Sequence, residues 1–158
     1  MEQFKIRKAV KEDAALIFDL IMQLATYEKL ENEVVTTVQE LECHIFEKQQ
    51  AQVIIAEENG KPVGFALYFF NFSTFLGKHG LYLEDLFVKA EFRGKGYGKA
   101  LLKHLAKIAK EENCGRMEWW VLDWNAPSIE FYKSLGAKPM NEWTVFRITG
   151  KDLEELAK

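Results

Sequence analysis

The feature of this sequence that most constrains its fold is a run of alternating glycines, Arg93-Gly94-Lys95-Gly96-Tyr97-Gly98. The apolar segment Leu83–Val88 that precedes it favours a strand, and an apolar stripe with helical spacing follows it. Because glycine has no Cβ atom, successive backbone N–H groups of such a loop can point at one ligand, and the first N–H groups of the helix add to them. The run therefore predicts a strand–loop–helix unit that binds a pyrophosphate. A glycine-rich turn without a ligand is the alternative.

The spacing of these glycines differs from two other phosphate-binding loops. A nucleoside-triphosphate loop needs G-x-x-x-x-G-K-[ST], which the chain does not contain. A dinucleotide-binding loop needs G-x-G-x-x-G close to the first strand. Here the pattern is G-x-G-x-G, beyond the midpoint of the chain and preceded by an arginine.

Apolar periodicity and turn residues predict the elements around the loop. The predicted strands cover residues 4–7, 51–57, 62–72, 80–88, 116–122 and 143–149, and the predicted helices begin near residues 11, 37, 98, 127 and 152. Asn59-Gly60 predicts a tight hairpin turn, and Gly115 and Gly136 predict the ends of two helices. The order β-α-α-β-β-β-α-β-α-β predicts an α/β (α+β) fold, a mixed sheet with helices packed on it, in a single domain over residues 1–158.

Composition and charge exclude several classes of function. The net charge of −3 gives no broad attraction to nucleic acid or to anionic lipid, and no apolar run is long enough to span a membrane. The N-terminus lacks the pattern of a signal peptide. The two cysteines, Cys43 and Cys114, and the three histidines lack metal-ligand spacing. We therefore expect a cytoplasmic protein without a metal site and without a nucleic-acid or membrane partner.

The loop and the segment after it together resemble the GNAT acetyltransferase superfamily. Arg93-x-x-Gly96-x-Gly98 is similar to the acetyl-CoA loop of that family, and the pattern W-N-x-x-x-x-x-x-Y-x-x-x-G-A over Trp124–Ala137 resembles its diamine (spermidine/spermine) and thialysine N-acetyltransferase branch. Leu81–Asp85 and Trp143-x-x-Phe146 extend the resemblance over nearly the whole chain. It implies a GNAT-like, mostly antiparallel sheet flanked by helices, a homodimer, and direct transfer of an acetyl group from acetyl-CoA to a primary amine in a ternary complex.

The resemblance also assigns residues to the cofactor. The cofactor-binding residues that it implies are Leu86, Phe87, Val88, Arg93, Gly94, Lys95, Gly96, Tyr97, Gly98, Asn125 and Tyr132. Arg93 and Lys95 would supply countercharge to the phosphates, and the N–H of Leu86 is the candidate donor to the oxyanion. Asn125 at the start of a predicted helix is an N-cap, a cofactor contact, or both.

Two residues carry the predicted proton transfers. The family assigns Tyr132 as the general acid that reprotonates the departing thiolate, and its alternative is a tyrosine of the core. Glu84 is the implied base, directly or through water, with Asp85 nearer the amine. Because neighbouring strand residues point to opposite faces, both carboxylates reach one site only if a bulge intervenes. A salt bridge to a lysine or arginine is the alternative for both carboxylates.

A second acidic segment, Tyr27–Glu33, follows the first helix. The residues implied to bind the acceptor are Tyr27, Glu28, Glu31, Glu84, Asp85 and Trp143. The alternative for the segment is a solvated acidic turn. The loop at residues 72–77 lacks the acidic residue of the polyamine enzymes, which favours diamines and lysine- or ornithine-like amines over long polyamines. Acetylation of a protein lysine or N-terminus, and a CoA-binding sensor without chemistry, are the competing functions.

Overall fold

The computed structural model describes residues 3–158, which divide into two compact units, one up to Trp120 and one from Val121 onward. The strands are β1 (Phe4–Lys8), β2 (Gln52–Glu58), β3 (Lys61–Ser73), β4 (Lys78–Val88) and β5 (Met117–Trp119). The α-helices are α1 (Ala14–Tyr27), α2 (Val38–Leu41), α3 (Tyr97–Glu111), α4 (Ala126–Ser134) and α5 (Gly150–Leu156). A π-helical segment, Glu42–Glu47, continues α2.

The sheet has the order β1-β2-β3-β4-β5 and is antiparallel except for the parallel pair β4–β5. The turn between β2 and β3 has positive φ at both central residues, 52° at Asn59 and 80° at Gly60. This is the tight hairpin that Asn-Gly predicts. The predicted fold class, α+β with a mixed, mostly antiparallel sheet flanked by helices, is confirmed.

The core lies between the sheet and its helices. On one face, Ile17 and Leu20 of α1 pack among Ile55, Phe65 and Phe87 of the sheet. Helix α3 packs on β3 and β4, with Gly98 beside Leu86, which neighbours Phe87 in the strand and so points to the other face. Each fully buried large apolar side chain stabilises the fold by roughly 1.5–3 kcal/mol.

A bulge interrupts β4 at Glu84. Leu67 of β3 lies opposite Asp85, but the next residue, Tyr68, lies opposite Leu83, so Glu84 has no opposing residue. An extra residue of this kind re-aims the side chains on either side of it. The strict alternation that would keep Glu84 and Asp85 on opposite faces therefore does not hold here.

Three predicted details are wrong. Residues 143–149 form no strand, because β-propensity takes effect only beside a partner strand and these residues join no sheet. The fifth strand covers Met117–Trp119 instead of 116–122. Asn113, with φ of 57°, ends α3 in place of Gly115, and the N–H of Cys114 then donates to the Ala109 carbonyl.

Gly115 has a different role from the predicted one. A Cβ atom at this position would lie 2.7 Å from Cδ1 of Leu76, so glycine permits a close approach of the two segments. The predicted stop at Gly136, by contrast, is confirmed by its φ of 95° and by the hydrogen bond from the Ala137 N–H to the Tyr132 carbonyl. Among residues 3–158, no helix is both long and apolar enough to cross a bilayer.

Candidate active site

The backbone of the glycine loop is not covered by neighbouring atoms at Gly94 and Gly96. Gly94 and Gly96 have φ of 82° and 83°, and a Cβ atom built on either would meet no atom within 4 Å. Gly96 is the N-cap of α3, and no side chain caps the first N–H groups of the helix. A ring of accessible N–H groups at a helix N-terminus suits a pyrophosphate. The loop therefore fits the phosphates of acetyl-CoA.

The end of β4 leaves one edge of the strand open. The parallel strand β5 pairs only with Leu81–Leu83, so residues 85–88 pair with β3 on one side and, among residues 3–158, with no strand on the other. Unpaired N–H and C=O groups of an edge can accept an extended ligand as an additional strand. Leu86, Phe87 and Val88 occupy this edge, where we expect the pantetheine arm to bind, although the Val88 carbonyl already accepts a hydrogen bond from Arg93.

Arg93 joins the loop to the end of α1. Its Nε donates to the Val88 carbonyl at 3.0 Å, and its guanidinium carbon lies 4.6 Å from the ring centroid of Tyr27 and 5.5 Å from that of Phe87. Cation–π contacts of this kind are worth about 0.5–1 kcal/mol when exposed. Arg93 therefore lies between the predicted cofactor residues and the predicted acceptor residue Tyr27.

The other two side chains of the loop turn toward the β2–β3 hairpin. The Lys95 Nζ donates to Oε1 of Glu58 at 2.9 Å, and the Tyr97 hydroxyl donates to the same oxygen. The Tyr97 ring stacks on Phe4, with ring centroids 4.1 Å apart. The predicted phosphate ligand Lys95 thus already has a carboxylate partner.

A cavity of about 180 Å³ lies beside the bulge. Its lining residues are Ile21, Leu24, Ala25, Glu28, Leu30, Glu33, Val34 and Asp85. Three of them are carboxylates and the rest are apolar, and the lining includes no lysine or arginine. An apolar cavity with carboxylates as its charged groups fits the alkyl chain and the ammonium group of an amine.

Asp85 is the most perturbed titratable group of the cavity. Burial raises its pKa to about 7, with further contributions from the negative charges of Glu84 and Glu28. Burial also raises the pKa of Glu28. Within residues 3–120, the carboxyl group of Asp85 forms no hydrogen bond or ion pair, although its backbone belongs to strand β4. A carboxyl group that titrates near neutral pH is suited to binding an ammonium group or to exchanging its proton.

Tyr82, which sequence reasoning did not single out, lies two residues before the bulge. Its ring contacts Phe69 and Trp120, with centroids 5.0 and 6.1 Å apart. Burial, and then the charges of Glu84, Glu118 and Asp85, raise its pKa to about 12. Its phenol therefore stays protonated at neutral pH and remains a hydrogen-bond donor.

The acidic segment after α1 divides into two groups. Glu28 lines the cavity, whereas Glu31 is exposed and does not line it. Glu33, which the sequence did not mark separately, lines the cavity together with Glu28 and Asp85. A short 3₁₀ helix, Glu31–Glu33, produces this arrangement, and only its geometry distinguishes the two glutamates.

Three predicted site residues lie in the second unit. The Asn125 side chain caps α4 by accepting from the Ser128 N–H at 3.4 Å, so its predicted role as an N-cap is confirmed. Tyr132 lies near the end of α4, with its ring 5.7 Å from that of Phe131. Trp143 is 75% exposed. The part of the chain that the structure describes contains no group of three or more His, Cys, Asp or Glu side chains placed to hold a metal ion.

Comparisons with known proteins identify the family of this chain. Residues 17–137 match the acetyltransferase (GNAT) family. The chain is 38% identical to thialysine N-epsilon-acetyltransferase of Bos taurus, over 96% of each chain. It is 45% identical to the L-ornithine N5-acetyltransferase NATA1 of Arabidopsis thaliana over 60% of this chain and 42% of that protein.

A solved structure extends the agreement to the fold. The integron cassette protein VCH_CASS6 from the mobile metagenome of V. cholerae is 33% identical, with a TM-score of 0.82 over 98% of each chain. The family match covers both units of this chain, including the glycine loop and Asp85. The chain therefore belongs to the GNAT family and is an acetyltransferase.

Proposed function

We propose that this enzyme transfers an acetyl group from acetyl-CoA to a primary amine of a small cationic molecule, such as a diamine, a polyamine or a lysine- or ornithine-like amine. The observation that carries the proposal is the cavity with Glu28, Glu33 and Asp85 in its lining and no basic side chain. Two relatives are named for thialysine and L-ornithine, which supports an acceptor with more than one charged group.

The chain contributes a binding surface for the donor. When bound, acetyl-CoA supplies an acetyl thioester that an amine can attack. The N–H groups of Gly94 to Gly98 bind the pyrophosphate, and the open edge of β4 hydrogen-bonds the pantetheine arm. The N–H of Leu86 is the proposed donor to the carbonyl oxygen. A donor held in place before the reaction stabilises developing negative charge without reorganisation.

The acceptor arrives as an ammonium ion and must lose a proton before it attacks. We assign this step to the bulged pair Glu84 and Asp85, with Glu84 as the base, directly or through water, and Asp85 holding the amine. The bulge supports a joint role because it removes the alternation that would separate the two side chains. Tyr132 is the proposed general acid, which donates its phenolic proton to the leaving sulfur.

The second charge of the acceptor has a separate binding position in this proposal. Glu28 and Glu33 line the cavity together with apolar side chains of α1. An alkyl chain of a few methylene groups can lie along Ile21 and Leu24, while its distal ammonium contacts a carboxylate. The turn at residues 74–77, which lacks acidic residues, supports short acceptors over long polyamines.

We further propose that the enzyme acts as a homodimer in the cytoplasm, without nucleic-acid or membrane partners. The dimer is supported by the family resemblance and by exposed apolar side chains in the second unit, among them Trp143 and Phe146 at 75% and 92% exposure. Light scattering at several protein concentrations tests it, and a monomer at micromolar concentration would contradict it.

An acceptor screen tests the function. Purified protein is mixed with acetyl-CoA and a panel of diamines, lysine analogues, monoamines and lysine-containing peptides, and mass spectrometry detects products while a thiol reagent follows CoA release. We expect acetylated small diamines or lysine analogues. Acetylated peptides in their place would favour a protein acetyltransferase, and cofactor binding without any CoA release would favour a sensor.

A further inference from the structure

A buried carboxylate, Glu58, ends strand β2 immediately before the Asn59-Gly60 turn. Its residue is 8% exposed, although it lies at a hairpin end where most side chains reach solvent. Both Lys95 and Tyr97, from the glycine loop 37 and 39 residues further along the chain, donate to its Oε1. A buried carboxylate is costly unless it is paired, and two partners of Glu58 come from one loop.

The loop alternates between residues that face free space and residues that face Glu58. Gly94 and Gly96 have positive φ and open surroundings, while Lys95 and Tyr97, each of which follows one of these glycines, turn toward the hairpin. Tyr97 is buried and stacks on Phe4 of β1, with ring planes 9° from parallel. The side chains of the loop are thus tied to the sheet, and its backbone is presented to a ligand.

We propose that Glu58 is a positioning residue for the phosphate-binding loop. This proposal rests on the proposed function, because it supposes that the loop binds the pyrophosphate of CoA. Glycine-rich segments lose much conformational freedom on ordering, and a loop that is already ordered binds its ligand without that cost. Glu58 orders the loop through Lys95 and Tyr97. The phosphates are then bound by backbone N–H groups and Arg93, and the charge of Lys95 is balanced by Glu58.

Two probes separate this role from a general effect on the fold. CoA contains the pyrophosphate, whereas pantetheine has the same arm without it. In Glu58→Gln we expect the Kd of CoA to rise about tenfold, as the loss of a charge-assisted hydrogen bond predicts, while the Kd of pantetheine stays within twofold. We expect kcat at saturating acetyl-CoA to stay within twofold, because the reacting groups lie elsewhere.

The neighbouring Glu57 supplies a matched control. It is also buried in β2, but it pairs with Arg7 at 3.1 Å and with Lys5 at 3.6 Å, not with the loop. Glu57→Gln should leave the ratio of the two dissociation constants as in the wild type. A Tyr97→Phe variant, which keeps the stacking on Phe4, should raise the Kd of CoA by a smaller factor, about threefold.

A double-mutant cycle with Lys95 tests the route through which Glu58 acts. If Lys95 orders the loop through Glu58, Glu58→Gln and Lys95→Gln should each raise the Kd of CoA. The Kd of the double variant should then equal that of the single variant with the higher Kd. Additive effects would overturn the proposal, because they would place Lys95 on the phosphates independently of Glu58.

The outcomes also distinguish this proposal from the proposed function. If the wild type does not bind CoA, the proposed function fails and this inference fails with it. If the wild type binds CoA and Glu58→Gln binds it equally well or more tightly, this inference alone is wrong. A folding failure of Glu58→Gln leaves Tyr97→Phe to decide, and an unchanged Kd of CoA in that variant would overturn the proposal.

Discussion

Two pairs of adjacent carboxylates lie beside irregularities of the same sheet, and they differ in their partners. Glu57 and Glu58 of β2 are both buried, and each contacts a cationic side chain, Arg7 for Glu57 and Lys95 for Glu58. Glu84 and Asp85 of β4 form no ion pair within residues 3–120, although Asp85 lines an apolar cavity. The two pairs have similar positions in the sheet and similar residue types. They differ in that the carboxylates of the second pair remain available to a cationic ligand.

The surroundings of the two pairs also differ in their response to protons. Beside the first pair, the hydrogen bond from Arg7 lowers the pKa of Asp13, so the ionised Asp13 carboxylate stabilises the fold at neutral pH. At the second pair, burial raises the pKa of Asp85 to about 7, so ionisation there opposes folding. A cationic ligand bound beside Asp85 would offset the free-energy cost of ionising its carboxyl group. We therefore expect the unpaired carboxylates of the cavity to bind a cation, whereas Glu57 and Glu58 are already paired within the fold.

The largest expected effect concerns activity. Asp85→Asn and Glu84→Gln should each lower kcat/KM for the acceptor by roughly 10²-fold or more, because proton transfer and charge-assisted binding are lost. Steady-state assays over pH 6–10 measure this. If Glu84 is the base, Glu84→Gln should recover activity at high pH, where free amine is present. An unchanged pH–rate profile in both variants would remove the proton-transfer role from this pair.

The second prediction concerns stability. Asp85 has a folded-state pKa above its unfolded value, so its contribution is present below pH 4 and is lost as pH rises through about 7. Asp85→Asn should therefore be more stable than the wild type at pH 8, by a few kcal/mol and at most about 4. The difference should disappear below pH 4. Denaturant unfolding at pH 4, 6 and 8 measures it, and a destabilised variant at pH 8 would contradict the account.

The third prediction tests the paired site. Arg7→Met removes the cationic partner of the Asp13 and Glu57 carboxylates. It should destabilise the protein by about 2 kcal/mol at pH 7. For a chain of this size, that corresponds to a fall in Tm of roughly 4–8 °C. Because the pKa of Asp13 is lowered in the folded state, the loss should shrink as pH falls below 4. We expect kcat/KM within twofold of the wild type.

The smallest expected effect concerns the acidic turn after α1. Glu28→Gln should lower the preference for a diamine over a monoamine about fivefold, since Glu28 is a half-buried carboxylate of the cavity lining. Glu31→Gln, three residues further along, should change it by less than twofold because Glu31 lies outside the lining. Equal effects of the two substitutions would mean that the turn attracts the acceptor only by long-range electrostatics. Added salt would then remove the preference.

Local patterns predicted most of the fold. The Asn59-Gly60 turn, the alternation of strands β1 to β4 and the ends of α4 depend on residues close in sequence, and these predictions are confirmed. The predicted strand at residues 143–149 is wrong because strand formation also needs a partner strand, which local sequence does not specify. Asn113 ends α3 because asparagine also tolerates positive φ, so the glycine two residues later is not needed for this role.

The site was less predictable than the fold, because it depends on contacts between segments that are far apart in the sequence. The motif around Arg93 and the acidic residues before Leu86 directed the prediction to the glycine loop and to the strand beside the cavity. The bulge at Glu84 depends on register with β3, and the contact between Glu58 and Lys95 joins segments far apart in the chain. The division between Glu28, Glu31 and Glu33 depends on a single 3₁₀ turn. None of these leaves a local signal in the sequence.

The central claim is that unpaired carboxylates at the cavity select a cationic acceptor. The most direct test compares kcat/KM for a diamine with kcat/KM for a monoamine of equal chain length, in the wild type and in Glu28→Gln and Asp85→Asn. A charge-assisted contact worth roughly 1.5–3 kcal/mol predicts a preference of about 10–150-fold for the diamine in the wild type, reduced in both variants. Equal kcat/KM for the two amines in the wild type would contradict the account.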